Sequence, residues 1–87
     1  MAGAHGSDEG KRWTAKQGQY LAFIYYYTKV NRRPPAEADI QRYFEVSPPT
    51  VHQMVLSLEQ RGLISRTPGA ARSIHVLVDA QELPMLE

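Results

Sequence analysis

The sequence predicts a mainly α (α+β) domain in which three helices are followed by a C-terminal β-hairpin, and three observations carry that reading. "TAKQ", Thr14 to Gln17, sets a hydroxyl and an amide at the spacing of a capping box and opens a long segment with an apolar stripe. Val51, Met54, Val55 and Leu58 recur at i, i+3, i+4 and i+7 directly behind the adjacent prolines Pro48 and Pro49. Further on, "LISR" and "SIHVLV" are strand-like runs joined by "TPGAAR", in which Pro68-Gly69 signals a turn.

Residues 1–12 are small, polar or charged and have nothing to bury, so they are expected to form a disordered arm ahead of a domain spanning residues 13–78. In the first helix Tyr20, Leu21, Ile24, Tyr27 and Thr28 share one face, with Phe23 and Val30 at its margin. The run Tyr25 to Tyr27 does not make a stacking platform for bases, because adjacent helical residues point about 100° apart. Tyr27 is expected inside, and Tyr25 and Tyr26 on the surface.

Pro34-Pro35 break the chain into an extended turn. A short second helix from about Glu37 to Phe44 should bury Ile40 and Phe44, together with Ala36 or Tyr43. Glu37 and Asp39 suit its positive end, but Ala36 has no side-chain acceptor with which to cap it. After only Glu45 and Val46, Ser47 stands as the N-cap of the third helix, with Pro48 at N1 and Pro49 at N2. Amides at those positions have no partner within a helix, so losing them costs little. Gly62 supplies the left-handed stop.

In the hairpin, alternation points Ile74, Val76 and Val78 to one face and Ser73, His75 and Leu77 to the other. A small strand at Arg33-Pro34 is expected to join the sheet. Residues 79–87 form an acidic and apolar tail, too short for a core element, from which Leu83, Met85 and Leu86 can cover an apolar patch.

At 87 residues the chain has room for one small domain and little for an enclosed catalytic cavity. It contains no cysteine, which fits a reducing compartment and removes thiolate metal sites. No apolar run approaches the roughly 20 residues of a membrane helix, and "MAGAHGSDEGKRW" lacks the apolar centre of a signal peptide. The reading is a soluble, cytoplasmic protein without a membrane partner. There is no Gly-rich phosphate loop, nucleophile elbow or paired carboxylates, and His5, His52 and His75 have no metal-ligand spacing. Neither catalytic residues, a metal, a cofactor nor a small-molecule substrate is expected.

The net charge of +1 hides an uneven distribution. All ten Lys and Arg lie between Lys11 and Arg72, where the only acids are Glu37, Asp39, Glu45 and Glu59. A basic body between acidic ends suits a polyanionic partner.

Two helices separated by a tight turn, the second followed by an antiparallel hairpin, describe a winged helix-turn-helix. The third helix then has its apolar stripe on the core and its far side free. Pro49, Thr50, Gln53, Leu56, Ser57 and Gln60 face outward there, with His52 flanking. Most are uncharged hydrogen-bonding side chains, short near the N-terminus, the end that enters a major groove in such proteins. Gln53 suits adenine, Thr50 a thymine methyl, and His52 a base edge or a phosphate. Arg66 and Arg72 bracket the wing turn and are expected on phosphate, with Arg32, Arg33 and Arg42 gripping the other backbone; Arg61 is expected to help cap the third helix. The rival use of the same fold is an assembly module whose third helix meets a protein.

From Thr14 to about Val78 the chain resembles the N-terminal DNA-binding domain of LexA-type repressors. The resemblance rests on "TAKQ", "RPPAEADIQRYF", "SPPTVHQMVLSLEQRGLI" and "PGAARSIHVL". It implies a sequence-specific regulator of transcription on double-stranded DNA. It also implies base contacts from Ser47, Pro49, Thr50, His52 and Gln53. Pro49, His52 and Gln53 stand where this family typically has asparagine and acids, so the operator is not implied. The family's self-cleaving peptidase domain has no counterpart in these residues, and the expectation is a stand-alone domain without an autoproteolytic switch. Association of two copies through Leu56 or "LPMLE" would then supply the affinity that one half-site lacks.

Overall fold

The computed structural model describes residues 12–87, so residues 1–11 of the expected arm lie outside the described residues. The element order is α1 (Ala15–Asn31), α2 (Glu37–Phe44), α3 (Pro48–Gln60), β1 (Ile64–Ser65) and β2 (His75–Val76), followed by a 3-10 turn at Ala80–Glu82. All three helices fall where the sequence places them.

The capping box of α1 is complete. Gln17 N–H donates to Thr14 Oγ1 at 3.1 Å, and Thr14 N–H donates back to Gln17 Oε1 at 2.9 Å. Tyr20, Leu21 and Ile24 are fully buried, and Phe23, placed at the margin by periodicity, is buried as well. The aromatic rings explain the difference. Tyr20 stacks on Phe44 at 4.1 Å between centroids, and Phe23 stacks on Tyr43 at 4.6 Å, so α2 draws Phe23 inward. Tyr43 itself stays 41% exposed as the lid of that stack, and the expected burial of Tyr43 or Ala36 is not found.

Ile40 of α2, Val51, Val55 and Leu58 of α3, and Leu63, Ile64 and Ile74 of the hairpin complete a single core. Trp13, just ahead of α1, joins it at 5% exposure. Two non-glycine residues end helices in the left-handed region: Arg32 after α1 (φ 62°) and Glu45 after α2 (φ 56°). In each the backbone N–H still closes on the preceding turn, to Thr28 and Gln41 respectively.

The hairpin is shorter than expected. Ile64 pairs with Val76 and Ser65 with His75, antiparallel, and the ladder then stops. Ser73 is the reason: its hydroxyl accepts from Thr67 N–H at 2.8 Å and donates to Thr67 C=O at 3.2 Å, taking both groups the next pair would need. Among the described residues the sheet has two strands, so the expected third strand at Arg33-Pro34 is absent. The Pro34 carbonyl accepts from Arg72 instead.

The tail folds back onto the helices. Leu83 and Leu86 pack against the core, whereas Met85, grouped with them in the sequence reading, is 84% exposed. Gln19 clasps this segment with both ends of its amide, donating to Met85 C=O and accepting from Glu87 N–H, each at 2.9 Å.

Candidate nucleic-acid interface

The outward side of α3 begins with an unusual cap. Ser47 occupies the N-cap position with extended backbone, yet its hydroxyl accepts no backbone N–H. With Pro48 and Pro49 removing two donors, Thr50 and Val51 N–H close on the Ser47 carbonyl at 3.0 and 3.2 Å. The Ser47 hydroxyl is left to pair with Thr50 Oγ1 at 2.9 Å, so the two hydroxyls form one polar unit at the helix start.

Pro49, Thr50, His52 and Gln53 are all exposed, and with Ser47 they gather on the first two turns of α3. Leu56 and Ser57 are only half-buried, not outward. Ser57 turns toward α1, where its hydroxyl lies 3.4 Å from Gln17 Nε2. The wall between these helices is an open groove lined by Gln17, Pro49, Thr50, Gln53, Met54 and Ser57. His52 leans the other way: its Nδ1 stands 3.3 Å from each carboxylate oxygen of Glu37, the first residue of α2.

The arginines do not converge on one patch. Arg32 and Arg33 are exposed at the end of α1. Arg42 is 74% exposed while touching Asp39 Oδ1 at 3.3 Å. Arg61 donates to the Arg12 carbonyl at 3.0 Å, tying the end of α3 to the segment before α1. Arg66 donates through Nε to Glu59 Oε1 at 2.9 Å and is largely buried, which brings β1 and α3 together.

Arg72, expected to reach outward, is engaged inside the fold. Its Nη1 lies 3.0 Å from Asp39 Oδ2, 3.1 Å from the Pro34 carbonyl and 3.3 Å from Tyr27 Oη. Asp39 is thus a junction: it also accepts from Ala36 N–H at 2.9 Å, the one half of a capping box that an alanine N-cap can make. Partial burial pushes the Asp39 carboxyl up, but the Ala36 N–H, the charge of Arg72 and the bonds from both arginines outweigh it and hold it below the usual carboxylate value. The hydrogen bond with Tyr27 and the charge of Asp39 raise Arg72 in turn.

Sequence reasoning missed Glu37, Asp39 and the Tyr27 hydroxyl as partners. Only Asp39 had a local signal, lying three residues beyond an N-cap that could not cap itself.

The arrangement defines a winged helix-turn-helix domain: α2 and α3 joined by the three residues Glu45, Val46 and Ser47, and a short hairpin anchored beside them. Residues 10–73 match the LexA DNA binding domain, and the chain belongs to that family. It is 40% identical over 72 residues to the LexA repressor of Thermosipho melanesiensis, covering 83% of this chain and 36% of that protein. Similarity to the LexA repressor of Thermosipho africanus is 37% over 67 residues, 77% of this chain and 34% of the relative. For the LexA repressor of Thermotoga neapolitana the identity is 35% over 66 residues, 76% and 34% of the two chains. The chain therefore spans about a third of the length of the curated relatives it matches. Among the described residues no helix is long and apolar enough to cross a membrane.

Proposed function

We propose that this domain binds double-stranded DNA sequence-specifically and regulates transcription, in the cytoplasm at the nucleoid, with α3 in the major groove and the wing beside it. The observation that carries the reading is the exposed set Ser47, Pro49, Thr50, His52 and Gln53 on the N-terminal turns of α3 in a LexA-family fold. In this reading Gln53 reads a base edge, Thr50 and the Ser47 hydroxyl meet a methyl or an acceptor, and His52 meets a base. Pro48 and Pro49 deprive the helix start of two N–H donors, so phosphate binding rests on side chains. Arg32, Arg33 and Arg42 supply it, whereas Arg66, expected on phosphate, is held against Glu59 and largely buried. Arg72 contributes from inside, by fixing the wing against α2.

One domain covers one half-site, and two copies on an inverted repeat multiply the contacts without a covalent link. Gel shift with a random DNA pool at two salt concentrations tests the reading. Affinity falling by several powers of ten per tenfold rise in salt supports it, and absence of binding at low salt sinks it in favour of a protein-assembly role. Footprint length then separates a single half-site from an inverted repeat.

A further inference from the structure

Glu37 belongs to α2, is not a base-reading residue, and stands against one that is. His52 Nδ1 lies 3.3 Å from both Oε1 and Oε2 of Glu37, and the His52 side chain is otherwise open at 49% exposure. An ionised carboxylate only accepts hydrogen bonds, so the hydrogen between them belongs to Nδ1. In a neutral imidazole the other nitrogen, Nε2, is then a lone-pair acceptor. Glu37 is held where it does this by the start of α2, whose N-cap Ala36 is fixed by Asp39.

We infer that Glu37 is a positioning residue for base recognition: it selects the Nδ1–H form of His52 and so makes Nε2 an acceptor aimed at the DNA. In the major groove adenine offers its N6 amino group and cytosine its N4 amino group, whereas guanine and thymine present acceptor oxygens. A lone pair on Nε2 bonds the first two and repels the others. The base met by His52 is therefore adenine or cytosine on the contacted strand. The inference rests on the proposed placement of α3 in the major groove.

Two measurements on the whole chain test it. Long-range proton–nitrogen NMR of the free protein at pH 7.5 should place the hydrogen of His52 on Nδ1, and Glu37→Ala should shift population to Nε2. Selection from a random duplex pool should show one base position at which adenine or cytosine is favoured about fivefold, the scale of one net hydrogen bond. Glu37→Ala should even out that position and leave the others as they were. Hydrogen on Nε2 in the native protein overturns the inference, as does a Glu37→Ala variant that binds with every preference intact. A native protein that selects no sequence overturns the DNA reading itself, and the inference with it.

Discussion

Arg72 Nη1 of the wing lies 3.0 Å from Asp39 Oδ2 of α2, with the Pro34 carbonyl and the Tyr27 hydroxyl around the same nitrogen. One guanidinium thus joins the wing to α1, to the Pro34 turn and to α2. The wing's position relative to α3 follows from this junction as much as from the four residues of its ladder.

Arg72→Ala should therefore weaken DNA binding for all sequences while leaving the salt dependence unchanged. Arg33→Ala, which removes an exposed cation, should lower the slope of log affinity against log salt by about 0.9. Titrations at several salt concentrations check both. A drop in slope for Arg72→Ala would show instead that it touches phosphate directly.

Because the Asp39 carboxyl titrates below its usual value of 3.8, the native state favours the ionised form. The stability this contributes is fully present above pH 3.8 and is lost as pH falls through the lowered native value. Asp39→Asn should destabilise the fold by about 2 kcal/mol near neutrality, since charged hydrogen bonds are lost. It should also flatten the acid limb of a stability–pH curve. Urea midpoints between pH 2 and 7 measure both effects.

Gln53 is exposed on the second turn of α3. Gln53→Ala should cost discrimination at one base position by about 1–3 kcal/mol, with little loss for pools of random sequence. Competition between the selected duplex and its single-base variants reads the difference.

Trp13 is the single tryptophan, and a side chain on Gly18 would come within 3.1 Å of its ring and 3.2 Å of Pro84. Tail and indole meet over that glycine. Deleting residues 79–87 should red-shift Trp13 fluorescence and cost about 2–4 kcal/mol, the scale of exposing what Leu83 and Leu86 cover. Thermal melts followed by fluorescence decide it, and an unshifted spectrum would mean the tail leaves Trp13 covered.

Glu45 carries a left-handed backbone at φ 56° that glycine adopts without cost. Glu45→Gly should stabilise the fold by about 0.5 kcal/mol or be neutral, the relief of strain offset by a freer unfolded chain. Chemical denaturation measures it.

The helices were legible because their signals are local: Thr14 and Gln17 three apart, prolines at N1 and N2, and an apolar recurrence through Val51 and Leu58. So was most of the outward face of α3, since direction on a helix follows from spacing: Pro49, Thr50, Gln53 and Gln60 are exposed, whereas Leu56 and Ser57 are half-buried. What escaped depends on partners distant in sequence. Phe23 moves inward because Tyr43 and Phe44 stack there, and Arg72 turns inward because Asp39, 33 residues away, accepts it. Glu37 was read only as a dipole partner, since nothing in its own neighbourhood points to His52, 15 residues on. The left-handed turns at Arg32 and Glu45 were hidden because neither residue is a glycine.

The three residues between α2 and α3, Glu45 to Ser47, set which side of α3 faces the core. Glu45 is fixed by its bond back to Gln41, and Val46 N–H also closes on the Gln41 carbonyl, so this connection has almost no slack. Inserting a single residue would act less as a spacer than as a turn of a screw. It would rotate α3 by about 100° about its axis relative to the core-facing stripe. Val51 and Val55 would leave the interior as Gln53 swung toward it. Length at this point is a gauge of which side of the helix the solvent sees, and the chain tolerates only one setting.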